Sequence, residues 1–302
     1  MLCAAIDIGS NTTRILVAEP QEGQLTKIME QRAYTRIGKA RDGKGRISKE
    51  KIEEVAEVVD TQVRLARELG AECFRAVATA AIRDSGNAGD VVKAIEAKAG
   101  IPIEIVSGEE EGRLAFIGAT KALGHPIDGS VAVVDVGGGS TEITFGTVPG
   151  GVNEVISFAI GSGALADELI ESDPPSASEI RKIRDRVEDE FKDVKIETKP
   201  DQVVAVGGSA TSLRRLTGVV LEYETLERGI RVLCGDPAAD VAKQFELDPV
   251  RVRILPTGVL ILEKLSELLG QPLQIGKGGI REGIVLDMLN DDKNVTDPAL
   301  AS

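Results

Sequence analysis

The sequence predicts an α/β protein made of two duplicated domains, each a mixed sheet flanked by helices, with a cleft between them. Three observations carry that reading. Apolar runs of strand length alternate with amphipathic stretches of helical period, as in an α/β layer. The segment Asp7-Ile8-Gly9-Ser10-Asn11-Thr12-Thr13 returns as Asp135-Val136-Gly137-Gly138-Gly139-Ser140-Thr141, and each copy opens a βββ unit followed by α/β alternation, the tandem self-similarity of a duplication. The length, 302 residues, accommodates two domains with their own cores at the usual ~100–200 residues each.

Taken in order, residues 2–9, 13–19 and 24–36 read as three strands joined by tight turns. Between Ser48 and Leu69, Ile52, Val55, Val59, Val63, Ala66 and Leu69 share one helical face, and Gly70 closes the pattern. A strand at 73–78, a helix at 87–99, a strand at 101–106 and a helix at 108–123 complete the first domain. The second opens with strands at 130–136, 141–146 and 153–160. Helices at 162–171 and 176–193, a strand at 203–206, a helix after Gly207-Gly208-Ser209, and helices at 237–246, 256–269 and 279–290 follow. The linker falls around Gly124–Gly129, which gives domains 1–125 and 126–302, the last helix being free to pack back on the first domain. His125, in a Gly-His-Pro turn, reads as a surface loop residue.

Composition excludes several chemistries. With 36 basic and 49 acidic residues the net charge is −13, and the chain has one His, six Phe, two Tyr and no Trp. A His-rich metal site or a nucleophile–His triad would rest on His125 alone, and neither the positive footprint nor the stacking platforms of a nucleic-acid binder are present. Cys3, Cys73 and Cys234 form no CxxC pair, so they read as small buried hydrophobes in a reducing cytoplasm. The first residues lack the basic start of a signal peptide, and no apolar stretch approaches the ~20 residues that span a bilayer. A soluble, cytoplasmic protein is expected.

The two repeated turns are the strongest chemical signal. Glycines let a backbone approach a ligand and turn successive N–H groups into one concavity, and hydroxyls add donors, which suits phosphate oxygens. Gly9, Ser10, Asn11 and Thr12 form one such turn, and Gly137, Gly138, Gly139, Ser140 and Thr141 the other. Each alone is equally a hairpin turn. Asp135 stands where it can hold a divalent cation, directly or through water. Gly207-Gly208-Ser209 follows a strand and opens a helix, as an anion site or a close packing point. Gly161-Ser162-Gly163-Ala164-Leu165-Ala166 has the spacing of a dinucleotide fingerprint, but the acidic residue expected ~20 positions on is replaced by a Pro/Ser-rich turn.

Among the carboxylates of Glu109-Glu110-Glu111, Ser107 and Glu110 make a capping box and Glu109 suits the helix dipole. Glu111 shares a face with Leu114, Ala115, Gly118 and Ala122. A carboxylate there is partly desolvated, which would raise its pKa and suit a general base, the alternative being a helix-start acid that reaches solvent. Arg83, in an uncharged stretch, is either a bidentate phosphate clamp or a partner of Asp84 or another acid.

Together these segments resemble the exopolyphosphatase/guanosine pentaphosphate phosphatase (Ppx/GppA) family of the actin-like superfamily. The resemblance rests on AAIDIGSNTTRILVAE (4–19), ATAAIR (78–83), IPIEIVSGEEEGRLAFIGA (101–119), VAVVDVGGGSTEITFG (131–146), VVAVGGSATSL (203–213) and GGIREGIVLDML (278–289). It implies two actin-like (ribonuclease H-like) domains in the short form of the family. It also implies Glu111 as the water-activating carboxylate, Arg83 as a phosphate-binding arginine, the two turns as phosphate loops, and Asp135 and Glu142 as the acids associated with Mg²⁺ or another hard divalent cation. Gly112 stands where the family commonly has Ala, and Asn11-Thr12-Thr13-Arg14 departs from its usual pattern, differences that bear on specificity. The implied activity is release of orthophosphate from the end of inorganic polyphosphate. The alternatives are 5′-phosphate hydrolysis of guanosine pentaphosphate (pppGpp), a non-catalytic polyphosphate or alarmone sensor and, further off, an actin-like sugar kinase. A homodimer is compatible with the family. With a single His the base has to be a carboxylate, and a polyanion held against a net charge of −13 makes binding Mg²⁺-dependent.

Overall fold

The computed structural model describes residues 1–21, 24–122, 127–197 and 199–290, and most of the linker segment, with His125, lies outside them. The described residues up to 122, joined by those from 278 onward, form one compact unit; residues 127–277 form the other.

The first unit begins with β1 (Cys3–Ile8), β2 (Thr13–Gln21) and β3 (Gln24–Ala33), followed by α1 (Lys49–Glu68), β4 (Cys73–Ala78), α2 (Ala80–Arg83), α3 (Ala88–Ala99), β5 (Ile103–Ile105) and α4 (Gly108–Ala122). Its sheet order is β3-β2-β1-β4-β5, with β1 antiparallel to β2 and parallel to β4. A strand covered on both faces needs apolar residues at nearly every position. β1 meets that condition: Ala4, Ile6 and Ile8 join one core with α1 and α3 residues, while Cys3 and Ala5 join another with Leu114 of α4. Ser48 caps α1 by accepting from the Lys51 N–H, and Gly100 ends α3 in the left-handed conformation.

The second unit contains β6 (Val131–Val136), β7 (Thr141–Thr147), β8 (Gly151–Phe158), α5 (Ser162–Leu169), α6 (Ala177–Phe191), β9 (Gln202–Val206), α7 (Gly207–Thr217), β10 (Val220–Leu221), α8 (Tyr223–Leu233), α9 (Ala238–Phe245), α10 (Pro249–Leu269) and β11 (Leu273–Ile275). The order β10-β11-β9-β6-β7-β8 repeats that of the first sheet, with β8, β7, β6, β9 and β11 in the places of β3, β2, β1, β4 and β5 and one short strand added. The pairing senses repeat too: β6 is antiparallel to β7 and parallel to β9. Both units are therefore mixed sheets flanked by helices. Among the described residues no helix is long and apolar enough to cross a membrane.

The last helix, α11 (Ile280–Asn290), falls within the stretch 126–302 of the sequence-based division, yet it packs on α4 in the first unit. Two glycine contacts and one charge network hold it there. A Cβ on Gly118 would lie 2.0 Å from the Gly279 carbonyl oxygen, and one on Gly283 would lie 1.9 Å from that of Leu114, so the backbones touch. Asp287 accepts from Arg113 at 2.7 and 2.9 Å and from Arg75 at 2.6 Å, and Arg113 also binds Glu110.

Burial alone would push the Asp287 carboxyl up, but the Arg113 and Arg75 guanidinium groups outweigh it and hold the group below the usual carboxylate range. A depressed folded-state pKa contributes stability above the unfolded pKa, near 3.9, that is lost as pH falls through the folded value. Asp287→Asn is therefore expected to cost roughly 1.5–3 kcal/mol in urea unfolding at pH 7 and markedly less near pH 3. An equal loss at both pH values would contradict this.

Several elements differ from the sequence reading. α10 starts at Pro249, with Asp248 accepting from the Val250 N–H, so that Pro256, which reads as a helix start, lies inside the helix. β10 and β11 have two and three residues, too few to show a period. In α8 the buried series Leu226, Ile230, Leu233 is interrupted by Gly229, which packs against Thr217 and Leu213.

Candidate active site

The site in the first unit is built on the ends of β1 and β4 and the start of α4. After β4 the chain makes the four-residue helix α2, which ends on Arg83. Val106 then leads into α4, where Ser107 accepts from the Glu110 N–H at 3.2 Å and fixes the first turn. Glu111, one position on, is buried next to Leu114 and Ala115, as its helical face requires. Arg83 reaches it: Nη1 donates to Glu111 Oε1 and, at 3.1 Å, to the Val106 carbonyl, while Nε meets Asp84 at 3.2 Å. Desolvation would weaken the guanidinium charge, but Glu111 and then Asp84 outweigh it and keep Arg83 firmly protonated. Of the two sequence readings of Arg83, pairing with Asp84 and a second acid, Glu111, is the one this geometry shows.

Arg41 is not singled out by the sequence. Its guanidinium donates to the Ala80 carbonyl at 2.9 Å and to that of Ala81 at 3.2 Å, the residues that lead into Arg83. Asn87 binds the same loop through a reciprocal pair with Ile47, both bonds 2.9 Å. Arg41→Ala is expected to leave the Arg83–Glu111 pair less well placed and to lower kcat by roughly tenfold with little change in KM, and Arg41→Lys to recover only part of it. An unchanged kcat would remove Arg41 from this role.

The first turn closes with the Gly9 N–H donating to the Thr12 carbonyl at 3.0 Å. From behind, the Gly38 and Arg36 N–H groups bind the Ser10 and Asn11 carbonyls, both at 3.0 Å. Ser10 and Thr12 are largely buried, Arg14 Nε donates to the Thr12 hydroxyl at 3.2 Å, and the buried Asn11 Nδ2 makes no hydrogen bond, a spare donor inside the loop. Asp7 precedes the turn. Desolvation pushes its carboxyl above the ordinary range, against the pull of Arg14 and Arg281.

In the second unit the same turn recurs, with the Gly137 N–H on the Ser140 carbonyl at 3.0 Å. The first turn of α5 backs it: Ser162, Gly163 and Ala164 donate to the Gly137 and Gly138 carbonyls at 2.9–3.0 Å. A Cβ on Gly161 would meet Gly138 and Gly139 at 2.5 Å, so the first glycine of the dinucleotide spacing serves this packing. Thr141 is fully buried and donates its hydroxyl to the Ile160 carbonyl at 2.7 Å. It fastens the loop from inside.

Asp135 and Glu142 are directly opposed on β6 and β7, which puts both carboxylates on one face of the sheet. Glu142 is buried and accepts from Ser157 at 2.9 Å. Among the described residues no three His, Cys, Asp or Glu gather as a metal cluster. Two carboxylates nevertheless fit Mg²⁺, which keeps several waters and takes further oxygens from a substrate phosphate.

Gly207 has φ +80°, and a Cβ there would stand 2.2 Å from Asp135 Oδ1, so only glycine serves. At Gly208 a Cβ would meet the Arg251 guanidinium at 2.8 Å, and Ser209 is packed against Gly258 with its hydroxyl buried and without a hydrogen bond. The turn is thus a packing point, with the Asp135 carboxylate close to Gly207 and the Arg251 guanidinium close to Gly208. Arg251, 5% exposed on α10, is a second residue the sequence does not single out; a charge within the apolar run 250–262 is its one visible sign.

The profile of the Ppx/GppA phosphatase family matches residues 16–292. The chain belongs to the Ppx/GppA phosphatase family. That membership makes it a hydrolase. It is 27% identical to Exopolyphosphatase 1 of Mycobacterium leprae, over 98% of this chain and 92% of the relative, and 29% identical to Exopolyphosphatase 2 of Mycobacterium tuberculosis, over 94% and 96%. The Ppx/GppA family member of Aquifex aeolicus superposes with a TM-score of 0.81 at 31% identity, covering 97% of this chain and 99% of that one. An exopolyphosphatase of Cytophaga hutchinsonii shares the fold, with a TM-score of 0.86 at 19% identity over 96% and 98% of the two chains.

Proposed function

We propose that this family member is a cytoplasmic, Mg²⁺-dependent exopolyphosphatase that releases orthophosphate from the end of inorganic polyphosphate. The observation that carries the reading is the buried Glu111 held in place by Arg83 at the start of α4. Glu111 would orient a water and take its proton as the water attacks the terminal phosphorus in line. Arg83, in contact with that carboxylate, would share its remaining donors with the oxygens of the attacked phosphate. The N–H groups of Gly9–Thr12 and of Gly137–Ser140 would bind phosphate oxygens, and Arg251 would add positive charge behind Gly207-Gly208-Ser209. Asp135 and Glu142 would hold Mg²⁺, which supplies charge neutralisation at those oxygens when bound.

The test is phosphate release from long polyphosphate, short polyphosphate, pppGpp and ATP, each with Mg²⁺ and with excess EDTA. The reading expects polyphosphate to be the best substrate and EDTA to reduce its rate by at least roughly tenfold. A higher kcat/KM on pppGpp would move the substrate to guanosine pentaphosphate. Release from none of the four would favour a sensor.

A further inference from the structure

One corner of the first unit gathers three sulfur atoms that the phosphate chemistry does not use. Cys3 opens β1 and Cys73 opens β4, and the parallel register pairs them directly. In-register residues on neighbouring strands, ~4.8 Å apart, leave the sheet on the same face. The two thiols hydrogen-bond each other. Cys73 Sγ lies 3.2 Å from Met1 Sδ, and the Cys3 thiol points to the Met1 carbonyl at 3.9 Å. Cys3 and Cys73 are 0% and 1% exposed, whereas Met1 is 45% exposed, so the cluster meets solvent on its thioether side.

We propose that Met1, Cys3 and Cys73 form a three-sulfur binding site for a soft monovalent cation of the Cu(I) class. Two thiols and a thioether, with no imidazole or carboxylate among the donors, select soft ions over the hard cation assigned to Asp135 and Glu142. The site lies at the starts of β1 and β4, the strand ends away from the Gly9–Thr12 turn and Arg83, and its chemistry differs, so it stands whether or not the chain hydrolyses polyphosphate.

Binding is a proton exchange: Cu⁺ enters, Cys3 and Cys73 each release one proton to solvent, and the thioether adds a neutral donor, with no change in oxidation state. Apparent affinity should therefore rise about 100-fold per pH unit while both thiols are protonated. A Cys3–Cys73 disulfide is the competing use of the pair. Burial pushes the Cys3 thiol up to about 12 and raises Cys73 as well, which leaves little thiolate to attack a peroxide. A disulfide also gives Met1 Sδ no role, whereas a soft cation does.

The experiment titrates the reduced full-length protein, without oxygen, with Cu(I) supplied as its acetonitrile complex against the chelator bicinchoninate. The expected result is one Cu(I) retained per chain by the wild type and by Cys234→Ser, lost in Cys3→Ser and in Cys73→Ser. X-ray absorption of the loaded wild type should show three sulfur neighbours per copper and no lighter donor, a measurement that needs no variant to fold. Complete removal of copper from the wild type by the chelator, retention by both Cys3→Ser and Cys73→Ser, or nitrogen and oxygen neighbours in the absorption spectrum would each overturn the proposal.

Discussion

Glu111→Gln is expected to lower phosphate release from polyphosphate by roughly 10²–10⁴ with the fold intact. Gln keeps the size of Glu and one acceptor oxygen for Arg83, so the cation is not left without a partner: Asp84 and the Val106 carbonyl still hold it. What would be lost is the group proposed to take the proton of the attacking water. Because the proposed substrate contacts are those of the two turns and Arg83, kcat should carry the loss and KM should change little. Initial rates with saturating Mg²⁺, beside circular dichroism and urea unfolding of the variant, decide it. A rate within a factor of about three of wild type would remove Glu111 from the role of base.

Gly283→Ala is the largest structural change expected. Its methyl group would sit 1.9 Å from the Leu114 carbonyl oxygen, and the obstacle is helix backbone, which cannot rotate aside. Overpacking of this kind costs about 3 kcal/mol or more, because α4 and α11 must separate. α4 carries Glu111, so activity should fall together with stability. Gly89→Ala in α3 is the control: nothing lies within 4 Å of the new methyl group, and a helical Gly→Ala change there should add about 0.5–1 kcal/mol. Urea unfolding of the two variants compares them, and a loss below about 1 kcal/mol for Gly283→Ala would show that the contact is not tight.

The parts of the fold that the sequence reveals are those whose local signal and tertiary role agree. The repeated Asp–turn–Thr segments predict matching hairpins, and the two sheets have matching strand order. The face shared by Glu111, Leu114 and Ala115 predicts a buried carboxylate, and Glu111 is buried. Other features depend on partners far away in the chain. No local pattern announces that Arg41 braces the residues before Arg83 or that Arg251 lies over Gly208, since each depends on a contact made only in the folded chain. The glycines of Gly161–Gly163 illustrate the reverse error that spacing invites. They have a nucleotide-binding interval, but close passage of the Gly137–Gly139 loop accounts for Gly161.

The most direct measurement of the central claim is hydrolysis of defined-length polyphosphate in ¹⁸O-labelled water with Mg²⁺, following both the released phosphate and the remaining chains. One ¹⁸O in each orthophosphate, chains shortened one unit at a time, and loss of both signals in Glu111→Gln are expected. Label appearing in the remaining chains, fragments of intermediate length from the outset, or undiminished labelled phosphate from Glu111→Gln would contradict it.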